Sequence, residues 1–388
     1  MPGMLDLYLV TSLGLEIILA AELTGLGLKP TATEPGGVSL AGTLETVARL
    51  DLNLRTAHRV LVRVARFEAR HFSTLERLAR ALPWDRFVAP RTRVHFRVTS
   101  KKSKLFHEDA IAERLESAVA GSVSRVAALR SAADLDALEM DVTTLPATQR
   151  FVVRVFRDRV TISADASGAR LHRRGYRQET AKAPLRETLA AAMLLASGWE
   201  GDRPLIDPFT GSGTIPIEAA LLARRIAPGL ARRFAAERWP SMPAGIWDEA
   251  RNEARARVRS SVGAPILGGD RDAGAIAAAE ANAQRAGVAG DVRFVTRSVS
   301  ALATTAPNAA VVTNPPYGDR IGDRAGLRDL YARLGTVARE RLPAGTVTLL
   351  VAHPEHRRAL GLDLPPAFQT ENGGIPVVCL NGPVGVPA

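Results

Sequence analysis

The feature that most constrains the fold is an alternation of strand-like and helix-like segments through the second half of the chain. Short apolar runs alternate there with longer segments whose apolar residues recur at helical spacing. This alternation predicts a parallel β-sheet covered by helices on both faces, with ligands bound beyond the carboxyl ends of the strands. The predicted strands are Pro204–Asp207, Ala264–Gly268, Val292–Val295, Ala310–Thr313 and Thr346–Ala352, and the predicted helices are Pro184–Ala196, Ile215–Ala223, Ala273–Ala286 and Gly326–Arg341.

A glycine-rich turn, DPFTGSGT over residues 207–214, follows the first of these strands. It lacks the G-x-G-x-x-G of dinucleotide-binding turns, and it lacks the Lys that follows the last glycine of a P-loop, so it need not hold a phosphate. The carboxylate of Asp207 can accept hydrogen bonds from an ammonium or a hydroxyl group. That property suits S-adenosylmethionine, which has an amino acid end and no phosphate. A plain connection between a strand and a helix is the alternative interpretation.

A second motif, GGDRD over residues 268–272, follows the next predicted strand. An acid at the end of the strand after a glycine-rich turn is suited to a ribose diol, and Asp270 has that place. Asp272 directly precedes a predicted helix and is suited to cap it. The spacing between the two motifs is long, because residues 224–263 form an insertion rich in Arg and Trp.

A third motif, NPPY over residues 314–317, directly follows the strand Ala310–Thr313. Two prolines fix an extended loop and remove backbone donors. The side chain of Asn314 and the carbonyl of Pro315 can then both accept hydrogen bonds from an exocyclic amine, and Tyr317 can stack on a base. A simple turn is the alternative, but the position three strands after the glycine-rich turn favours a site.

The first half of the chain predicts an α+β region with basic surfaces. The strand Val60–Phe67 carries Arg63 and Arg66 among its polar positions, and the loop Ser100–Lys104 holds three lysines. Further predicted elements are the strands Leu5–Thr11, Val38–Leu40, Arg93–Thr99 and Leu138–Val142, the hairpin Arg150–Arg157 and Arg159–Asp165, and the helices Leu13–Leu26, Thr43–Leu52, Phe72–Leu82 and His107–Val119.

Charge and cysteine content narrow the class of partner. The 51 Lys and Arg residues exceed the 40 Asp and Glu residues by 11, which favours a polyanionic partner, nucleic acid or an anionic membrane surface. The single cysteine, Cys379, excludes an internal disulfide and a cysteine-cluster metal site. The N-terminus has no basic n-region, and the longest apolar stretch, Leu189–Ala196, is too short for a membrane span. We therefore expect a cytoplasmic protein without metal or membrane segment.

The three motifs in this order resemble those of class I S-adenosylmethionine-dependent methyltransferases that act on an amino group of a nucleobase. Further segments resemble the THUMP-domain RNA methyltransferases, and the resemblance is greatest to the stand-alone bacterial large-subunit rRNA guanine-N2 methyltransferase family. It covers nearly the whole chain. The segments that carry it are Asn53–Arg59, Ser100–Leu105, Leu171–Arg177, Ala183–Ala190, Ile226–Gly229 and Asn314–Gly318 with Arg320.

This resemblance implies a C-terminal Rossmann-like methyltransferase sheet preceded by a smaller α+β ferredoxin-like and THUMP region that binds RNA. The implied domains are 1–58 (ferredoxin-like), 59–167 (THUMP) and 168–388 (methyltransferase, with 168–199 as linker and entry helix). The implied cofactor is S-adenosyl-L-methionine, and its expected contacts are Asp207, Phe209, Thr210, Gly211, Gly213, Asp270, Ser298 and Thr188. The residues expected to hold and stack the target guanine are Asn314, Pro315, Pro316 and Tyr317.

The implied substrate is the exocyclic N2 of a guanosine in structured RNA, with rRNA favoured over tRNA and the protein acting as a monomer. The alternatives are guanine-N2 methylation of tRNA, adenine-N6 methylation, and a non-catalytic RNA-binding factor in ribosome assembly. Many relatives place an acid near the cofactor's adenine amine, where this chain has Arg297-Ser298. The residues expected to contact RNA are Arg63, Arg66, Lys101, Lys102, Lys104, Arg173, Arg174 and Arg177.

Overall fold

The computed structural model describes residues 3–129, 147–178, 185–302, 306–317 and 324–385. The chain divides into two compact units, and neither is one continuous stretch. The first unit comprises Met1–Thr11, Leu23–Leu171 and Gly229–Glu253, and the second comprises Ser12–Glu22, His172–Pro228 and Ala254–Ala388.

The first unit is built on a sheet of eight strands and three helices among its described residues. The strands are β1 (Leu5–Val10), β2 (Ala32–Glu34), β3 (Gly37–Gly42), β4 (Arg59–Glu68), β5 (Arg93–Lys101), β6 (Ala127–Ala128), β7 (Thr148–Phe156) and β8 (Arg159–Asp165), and the helices are α2 (Leu44–Asn53), α3 (Phe72–Arg80) and α4 (Glu108–Ser122). Helix α1 (Glu16–Gly25) is divided between the two units. The strand order is β2-β3-β1-β4-β8-β7-β5-β6. Pairing is antiparallel except at β5, which runs parallel to β6 and β7.

Helix α2 illustrates how local sequence sets these elements. Thr43 caps its first turn: the Thr43 hydroxyl accepts from the Thr46 backbone N–H, and the Thr46 hydroxyl accepts from the Thr43 N–H. Such a cap contributes about 1 kcal/mol. Val47 and Leu50 then bury the face of α2 that is turned to the core.

A buried polar cluster joins the segments on either side of residue 58. The Ser167 hydroxyl donates to the Asp51 carboxylate at 2.5 Å and accepts from the Val60 N–H at 2.8 Å. Arg59 forms an ion pair with Asp165 nearby in the same unit. Burial raises the pKa of the Asp51 carboxyl well above its ordinary value, which the Ser167 hydrogen bond offsets in part.

The second unit contains a seven-stranded sheet among its described residues. Its strands are β9 (Leu205–Asp207), β10 (Ile266–Asp270), β11 (Val292–Thr296), β12 (Ala310–Thr313), β13 (Thr346–Val351), β14 (Pro366–Asn372) and β15 (Ile375–Pro383), in the order β11-β10-β9-β12-β13-β15-β14. Its helices are α5 (Glu187–Ala196), α6 (Thr214–Ala223), α8 (Ala273–Arg285), α9 (Arg324–Arg341) and α10 (Pro354–Leu360). Helix α7 (Ile246–Ala256), in the insertion, is divided between the two units.

The expected α/β class is confirmed, with one addition at the C-terminus. Strands β9 to β13 pair in parallel, as the alternation of strand-like and helix-like segments predicted. Strand β15 then pairs antiparallel with both β13 and β14. The sequence did not reveal this hairpin because Pro376, Gly382 and Pro383 interrupt the apolar run of β15.

Two features of the chain path differ from the expected division at residues 58 and 167. Segments 1–58 and 59–167 contribute to one sheet, because β1 pairs with both β3 and β4. Residues 229–253 belong to the first unit and not to a continuous C-terminal domain. Trp239 explains this grouping, since its indole N–H donates to the Gln149 side chain at 2.7 Å and its ring packs edge-on against Phe87.

Most predicted element bounds agree with the structure to within two or three residues. Strand β10 extends from Ile266 to Asp270, two residues later than predicted, and α5 begins at Glu187 and not at Pro184. The predicted strand Leu138–Val142 lies outside the described residues. In the part of the chain that the structure describes, no helix is both long and apolar enough to cross a membrane.

Helix α9 packs against α10 at a glycine, and this contact yields a prediction. A Cβ added at Gly335 would lie 1.7 Å from the backbone oxygen of Leu360, so the helices approach too closely for a side chain. We expect Gly335→Ala to lower the free energy of unfolding by about 3 kcal/mol, since overpacking forces the backbone to shift. Urea unfolding followed by circular dichroism measures it.

Gly121 in α4 is the matched control, because a Cβ there meets nothing within 4 Å. Gly121→Ala removes the helix penalty of glycine and raises stability by up to about 1 kcal/mol. Equal effects of the two substitutions would contradict the close approach of α9 and α10.

Candidate active site

The sheet order of the second unit creates a crevice between β9 and β12. From β9 the chain proceeds to β10 and β11 on one side and then returns to β12 on the other. Such a reversal leaves a gap beyond the carboxyl ends of the two central strands, which is where open α/β sheets bind ligands. The three sequence motifs lie at the carboxyl ends of β9, β10 and β12.

The glycine-rich turn connects β9 to α6 and is held against β10. The Thr210 N–H donates to the Gly269 carbonyl at 2.9 Å, and the Gly211 N–H donates to the Asp270 carboxylate at 3.0 Å. Gly213 has φ +86°, and a Cβ there would lie 2.9 Å from the Cβ of Ala279. The turn therefore requires glycine at residue 213 both for its backbone conformation and for its packing on α8.

Asp207 ends β9 and is buried. One carboxylate oxygen, Oδ1, accepts from the Phe209 N–H at 3.1 Å and from the Thr313 hydroxyl at 2.6 Å. Burial raises the pKa of the Asp207 carboxyl to about 7, although both hydrogen bonds lower it, and the charge of Asp270 raises it further. The first and third motifs are thus joined through this carboxylate, because Thr313 directly precedes Asn314.

Asp270 and Asp272, both in the second motif, make different contacts. Asp270 Oδ2 accepts from the Gly211 N–H, and its Oδ1 accepts from the Asp272 N–H at 3.0 Å. Asp272 caps α8 by accepting from the N–H groups of Gly274 and Ala275, as expected. Each Asp270 oxygen can accept a further hydrogen bond, so its contact with a ribose stays a prediction.

Asn314 presents a buried acceptor to the crevice end of β12. Its side-chain oxygen Oδ1 is buried and has no hydrogen-bond partner among the described residues. A buried polar atom left in this state costs free energy, commonly about 1–3 kcal/mol. A donor supplied by a ligand would remove that cost.

The rest of the NPPY loop is anchored from two directions. The Tyr317 hydroxyl accepts from the side-chain amide of Asn372 at 2.6 Å, at the end of β14. The Tyr331 hydroxyl on α9 reaches the Pro316 carbonyl at 3.5 Å. Tyr317 is half-buried against the apolar core, and this burial raises the pKa of its phenol. Tyr317 therefore stands as a fixed, neutral ring, and its stacking on a base stays a prediction.

A narrow cleft adjoins the ends of β10 and β11, at the place expected for adenine. Arg297 stands beside Ser298 there, and its guanidinium lies near Gly269. Partial burial, together with the charge of Arg293, lowers the pKa of Arg297. The cleft is lined by Ile206, Pro208, Leu267, Gly269, Arg297, Ser298 and Leu302.

Thr188 is placed differently from the other expected cofactor residues. It is fully buried in the first turn of α5, beside Glu187, and not at the carboxyl end of a strand. Its contact with a cofactor therefore stays a prediction. Sequence reasoning missed Thr313, Tyr331 and Asn372, whose roles depend on contacts between residues far apart in the chain.

Three of the eight arginines and lysines expected to contact RNA are engaged inside the protein. Arg63 pairs with Asp6 and lies over the ring of Tyr8. Arg174 pairs with Glu218, and its side chain is 3% exposed. Arg177 donates to Glu187 and is 10% exposed.

These ion pairs leave the side chains of Arg63, Arg174 and Arg177 little exposed, and their contact with RNA stays a prediction. Arg66 also pairs with Asp6, although its side chain stays about half exposed. Arg173 and the three lysines of the β5–α4 loop are exposed and remain candidates: Lys101, Lys102 and Lys104.

The described ranges contain no cluster of side chains suited to bind a metal ion. No group of three or more His, Cys, Asp or Glu side chains there is arranged to hold a metal ion. Cys379 is buried in β15, and burial raises the pKa of its thiol, so it is an inert core residue.

Comparison with family models gives two matches. Residues 174–377 match the RMKL-like methyltransferase domain, and residues 6–61 match the RlmL ferredoxin-like domain. The first match contains all three motifs of the crevice.

Two curated relatives cover nearly all of this chain. A protein of Synechocystis sp., provisionally named an RNA methyltransferase, is 32% identical over 95% of this chain and 94% of its own length. The ribosomal RNA large subunit methyltransferase K/L of Syntrophotalea carbinolica is 35% identical over 95% of this chain and 52% of its own length. The chain thus spans about half the length of the K/L relative.

Two solved structures share the complete fold. SMU.472, provisionally described as a methyltransferase and solved with SAH, has a TM-score of 0.86 and 29% identity, with 100% of both chains covered. A Listeria monocytogenes protein, described as a predicted N6-adenine-specific DNA methylase, has a TM-score of 0.84 and 34% identity over 98% of this chain and 97% of its own.

The family and fold expected from the sequence are confirmed by these matches, and the expected cofactor, S-adenosyl-L-methionine, agrees with the SAH complex of SMU.472. The THUMP assignment of residues 59–167 stays a prediction. On its crevice, its motif order and these matches, the chain belongs to the family of RMKL-like methyltransferase domains.

Proposed function

We propose that this protein transfers the methyl group of S-adenosyl-L-methionine to the exocyclic N2 of a guanosine in structured RNA, with 23S rRNA as the favoured substrate. The observation that carries the proposal is the buried, unpartnered Oδ1 of Asn314 at the end of β12, a state that holds among the described residues. An acceptor in that position fits an amine donor, and the NPPY loop around it supplies a second acceptor, the Pro315 carbonyl.

The cofactor has a matching set of groups in the adjoining turn and cleft. Bound there, S-adenosyl-L-methionine supplies an electrophilic methyl group on a sulfonium. Asp207 and the backbone of Gly211 and Gly213 would hold its amino acid end, and Asp270 would hold the ribose. Ser298 and the apolar lining of the cleft would receive the adenine. Phe209, Thr210 and Thr188 complete the proposed contacts.

The chemical task of Asn314 and Pro315 is to orient the amine and concentrate its lone pair. In guanine that lone pair is delocalised into the ring. Two acceptors that bind the two N–H bonds favour a more pyramidal, more nucleophilic nitrogen. Alignment of the nitrogen with the methyl group contributes further, and well-oriented reactants can gain about 7–11 kcal/mol. Pro316 fixes the loop and Tyr317 offers a ring for the base, which must be unpaired or flipped out of a helix.

RNA is the favoured polymer because relatives over the full length of the chain carry names of RNA or rRNA methyltransferases. The excess of basic residues and the exposed lysines of the β5–α4 loop support a polyanionic substrate. The name of the Listeria protein favours a second candidate, adenine-N6 methylation, since Asn314 would accept from that amine equally well. Guanine-N2 methylation of tRNA and a non-catalytic role in ribosome assembly are the third and fourth candidates.

Nucleoside mass spectrometry tests the proposal. The protein is incubated with labelled S-adenosyl-L-methionine and, separately, with unmodified 23S rRNA, tRNA or DNA, and each nucleic acid is digested. Labelled N2-methylguanosine from rRNA supports the proposal, and the same product from tRNA alone changes the substrate. Labelled N6-methyladenine overturns the base assignment. Cofactor binding without any labelled product favours the non-catalytic role.

Asn314→Ala removes the side-chain acceptor, and we expect kcat to fall at least about a hundredfold, because the amine is no longer oriented. The dissociation constant of the cofactor should stay within about twofold, since the proposed role of Asn314 is toward the amine and not the cofactor. Methyl transfer and calorimetric titration with SAH measure the two effects.

Two further variants sharpen that result. Asn314→Asp keeps an acceptor oxygen and should retain more activity than Asn314→Ala. Asn308→Ala changes an exposed asparagine before the opposite end of β12 and should leave kcat unchanged. Loss of cofactor binding in Asn314→Ala would contradict the assigned role.

The Asp207 carboxyl predicts a pH dependence of cofactor binding. Because its pKa in the free protein is about 7, the carboxyl is largely neutral below that pH and cannot pair with an ammonium. The dissociation constant of SAH should therefore rise about tenfold per pH unit as pH falls below 7. Titration calorimetry between about pH 5 and about pH 8 measures this slope.

Asp207→Asn is the control, because the amide oxygen still accepts from the Thr313 hydroxyl but does not titrate. Its affinity for SAH should be lower than that of the wild type and should not follow pH in this range. Methylthioadenosine, which lacks the amino acid end, should show no such slope with either protein. A wild-type slope preserved in Asp207→Asn would assign it to another group.

A further inference from the structure

The loop between β5 and α4 exposes an aromatic ring. The side chain of Phe106 is 64% exposed, whereas its neighbour Leu105 is buried in the core of the first unit. Among the described residues, the other large exposed apolar side chains are aliphatic: Met4, Leu13 and Ile17. Covering an exposed phenylalanine ring is favourable, so a partner that packs on Phe106 would gain free energy from this contact.

The loop is fixed by hydrogen bonds to the tip of the neighbouring hairpin. The Lys104 N–H donates to the Asp158 carboxylate at 2.8 Å, and the Asp158 N–H donates to the Ser103 hydroxyl at 3.1 Å. The Ser100 hydroxyl donates to the Leu105 carbonyl. These bonds hold the backbone that leads into Phe106, so the ring is presented without the loss of loop entropy on binding.

A second ring extends the surface of Phe106. The ring centroids of Phe106 and His107 are 4.1 Å apart, and their planes are tilted by 39°. Both side chains are exposed. The two rings together form what we call the Phe106 platform.

Basic side chains lie on the loop that carries the platform and on the neighbouring strand. Lys101, Lys102 and Lys104 are exposed on the same loop, and Arg154 and Arg157 lie over the ring of Phe156 on the neighbouring strand. That strand, β7, pairs with β5 in a register that places Phe156 opposite Lys101 and Arg154 opposite Thr99.

The acids of this region are largely engaged. Asp158 binds the Lys104 N–H and also pairs with Arg70 at 3.3 Å. Glu108 accepts from the Ser100 N–H, and it lies with Asp109 in the first turn of α4, where a carboxylate complements the helix dipole. The basic side chains named here outnumber these three acids, so the region keeps a net positive charge.

We propose that the Phe106 platform binds an unpaired nucleobase of the RNA substrate by stacking, while the surrounding lysines and arginines hold the adjoining phosphates. This inference rests on the proposed function for its choice of RNA. An open aromatic face beside basic side chains is the combination that holds single-stranded nucleotides, since every base offers a π face and every linkage a negative charge. A single exposed ring is too small an apolar area to hold the protein on a membrane.

The test measures the affinity of the full chain for two labelled RNAs by fluorescence anisotropy. One is a short hairpin with a single-stranded tail, and the other is the same hairpin without the tail. The wild type should prefer the tailed hairpin. Phe106→Ala should weaken that complex about 5- to 100-fold, as expected for one lost base–aromatic stack. Its affinity for the blunt hairpin should change less than about twofold.

Two variants serve as controls. Phe106→Tyr keeps the ring and should bind the tailed hairpin as the wild type does. Ile17→Ala truncates another exposed apolar side chain, which is 79% exposed outside this loop, and should change neither affinity. Unchanged binding of the tailed hairpin by Phe106→Ala, an equal loss with both hairpins, or no preference of the wild type for the tail would each overturn the proposal.

The fluorescence of a Phe106→Trp variant distinguishes stacking on a base from a change in protein packing. The native tryptophans are all buried, at 7% exposure or less, so the added indole fluorescence reports on this site. We expect the tailed hairpin to quench it and the blunt hairpin to leave it unchanged. No quenching by the tail at a concentration that saturates binding counts against stacking.

Failure of the platform and failure of the proposed function are separable, because the binding assay needs no methyl transfer. Labelled N2-methylguanosine in RNA together with unaltered binding by Phe106→Ala leaves the function in place and rejects the platform. Binding that depends on Phe106, with no methylated nucleoside, rejects the function and keeps the platform.

Discussion

The buried carboxylate of Asp207 is the constraint on which the candidate site depends. A single oxygen accepts from Phe209 in the glycine-rich turn and from Thr313 at the end of β12, and so fixes both walls of the crevice. Asn314 follows Thr313, so the acceptor for the amine is positioned by the same bond. The arrangement costs stability. A carboxyl whose pKa rises from 3.8 to about 7 on folding withdraws about 4 kcal/mol as pH rises through that interval, because the folded state must release a proton that it binds more tightly than the unfolded chain. A cationic ligand at Asp207 would offset this cost.

The parts of the site that are contiguous in sequence could be predicted, and the parts that join distant residues could not. The turn 207–213 and the loop 314–317 each carry their own chemistry, and the sheet rules place both at one edge. The Thr313–Asp207 bond spans 106 residues, and the Tyr317–Asn372 bond joins the loop to an unpredicted hairpin. The strand β15 was missed for a physical reason. Its prolines lie near its two ends and leave only a short apolar run between them. Because its pairing is antiparallel, no helix follows it to indicate a strand.

Basic residues illustrate the opposite case, in which the local sequence pattern does not reveal the partner of a side chain. Sequence cannot distinguish a solvated arginine from one that pairs with a carboxylate far along the chain, because both read as a charge in a polar position. Arg63 finds Asp6 on the neighbouring strand, and Arg174 finds Glu218 on α6. The grouping of residues 229–253 with the first unit depends on a similar distant contact, since Trp239 donates to Gln149 across 90 residues. Burying a lysine costs free energy, so lysines in a polar loop are expected to be exposed. All three lysines of the β5–α4 loop are exposed.

Under the proposed function, recognition of the amine and recognition of the RNA are separate physical problems. Two carbonyl-type acceptors on a rigid loop select for a group with two N–H bonds. Guanine and adenine each carry such a group, an exocyclic amine. Discrimination must then come from which nucleotide reaches the loop. Flipping a base from a helix costs a few kcal/mol, least for a nucleotide that is already unpaired. Surfaces that hold unpaired bases and phosphates of a folded RNA reduce that cost for one nucleotide only, so base identity follows from RNA shape.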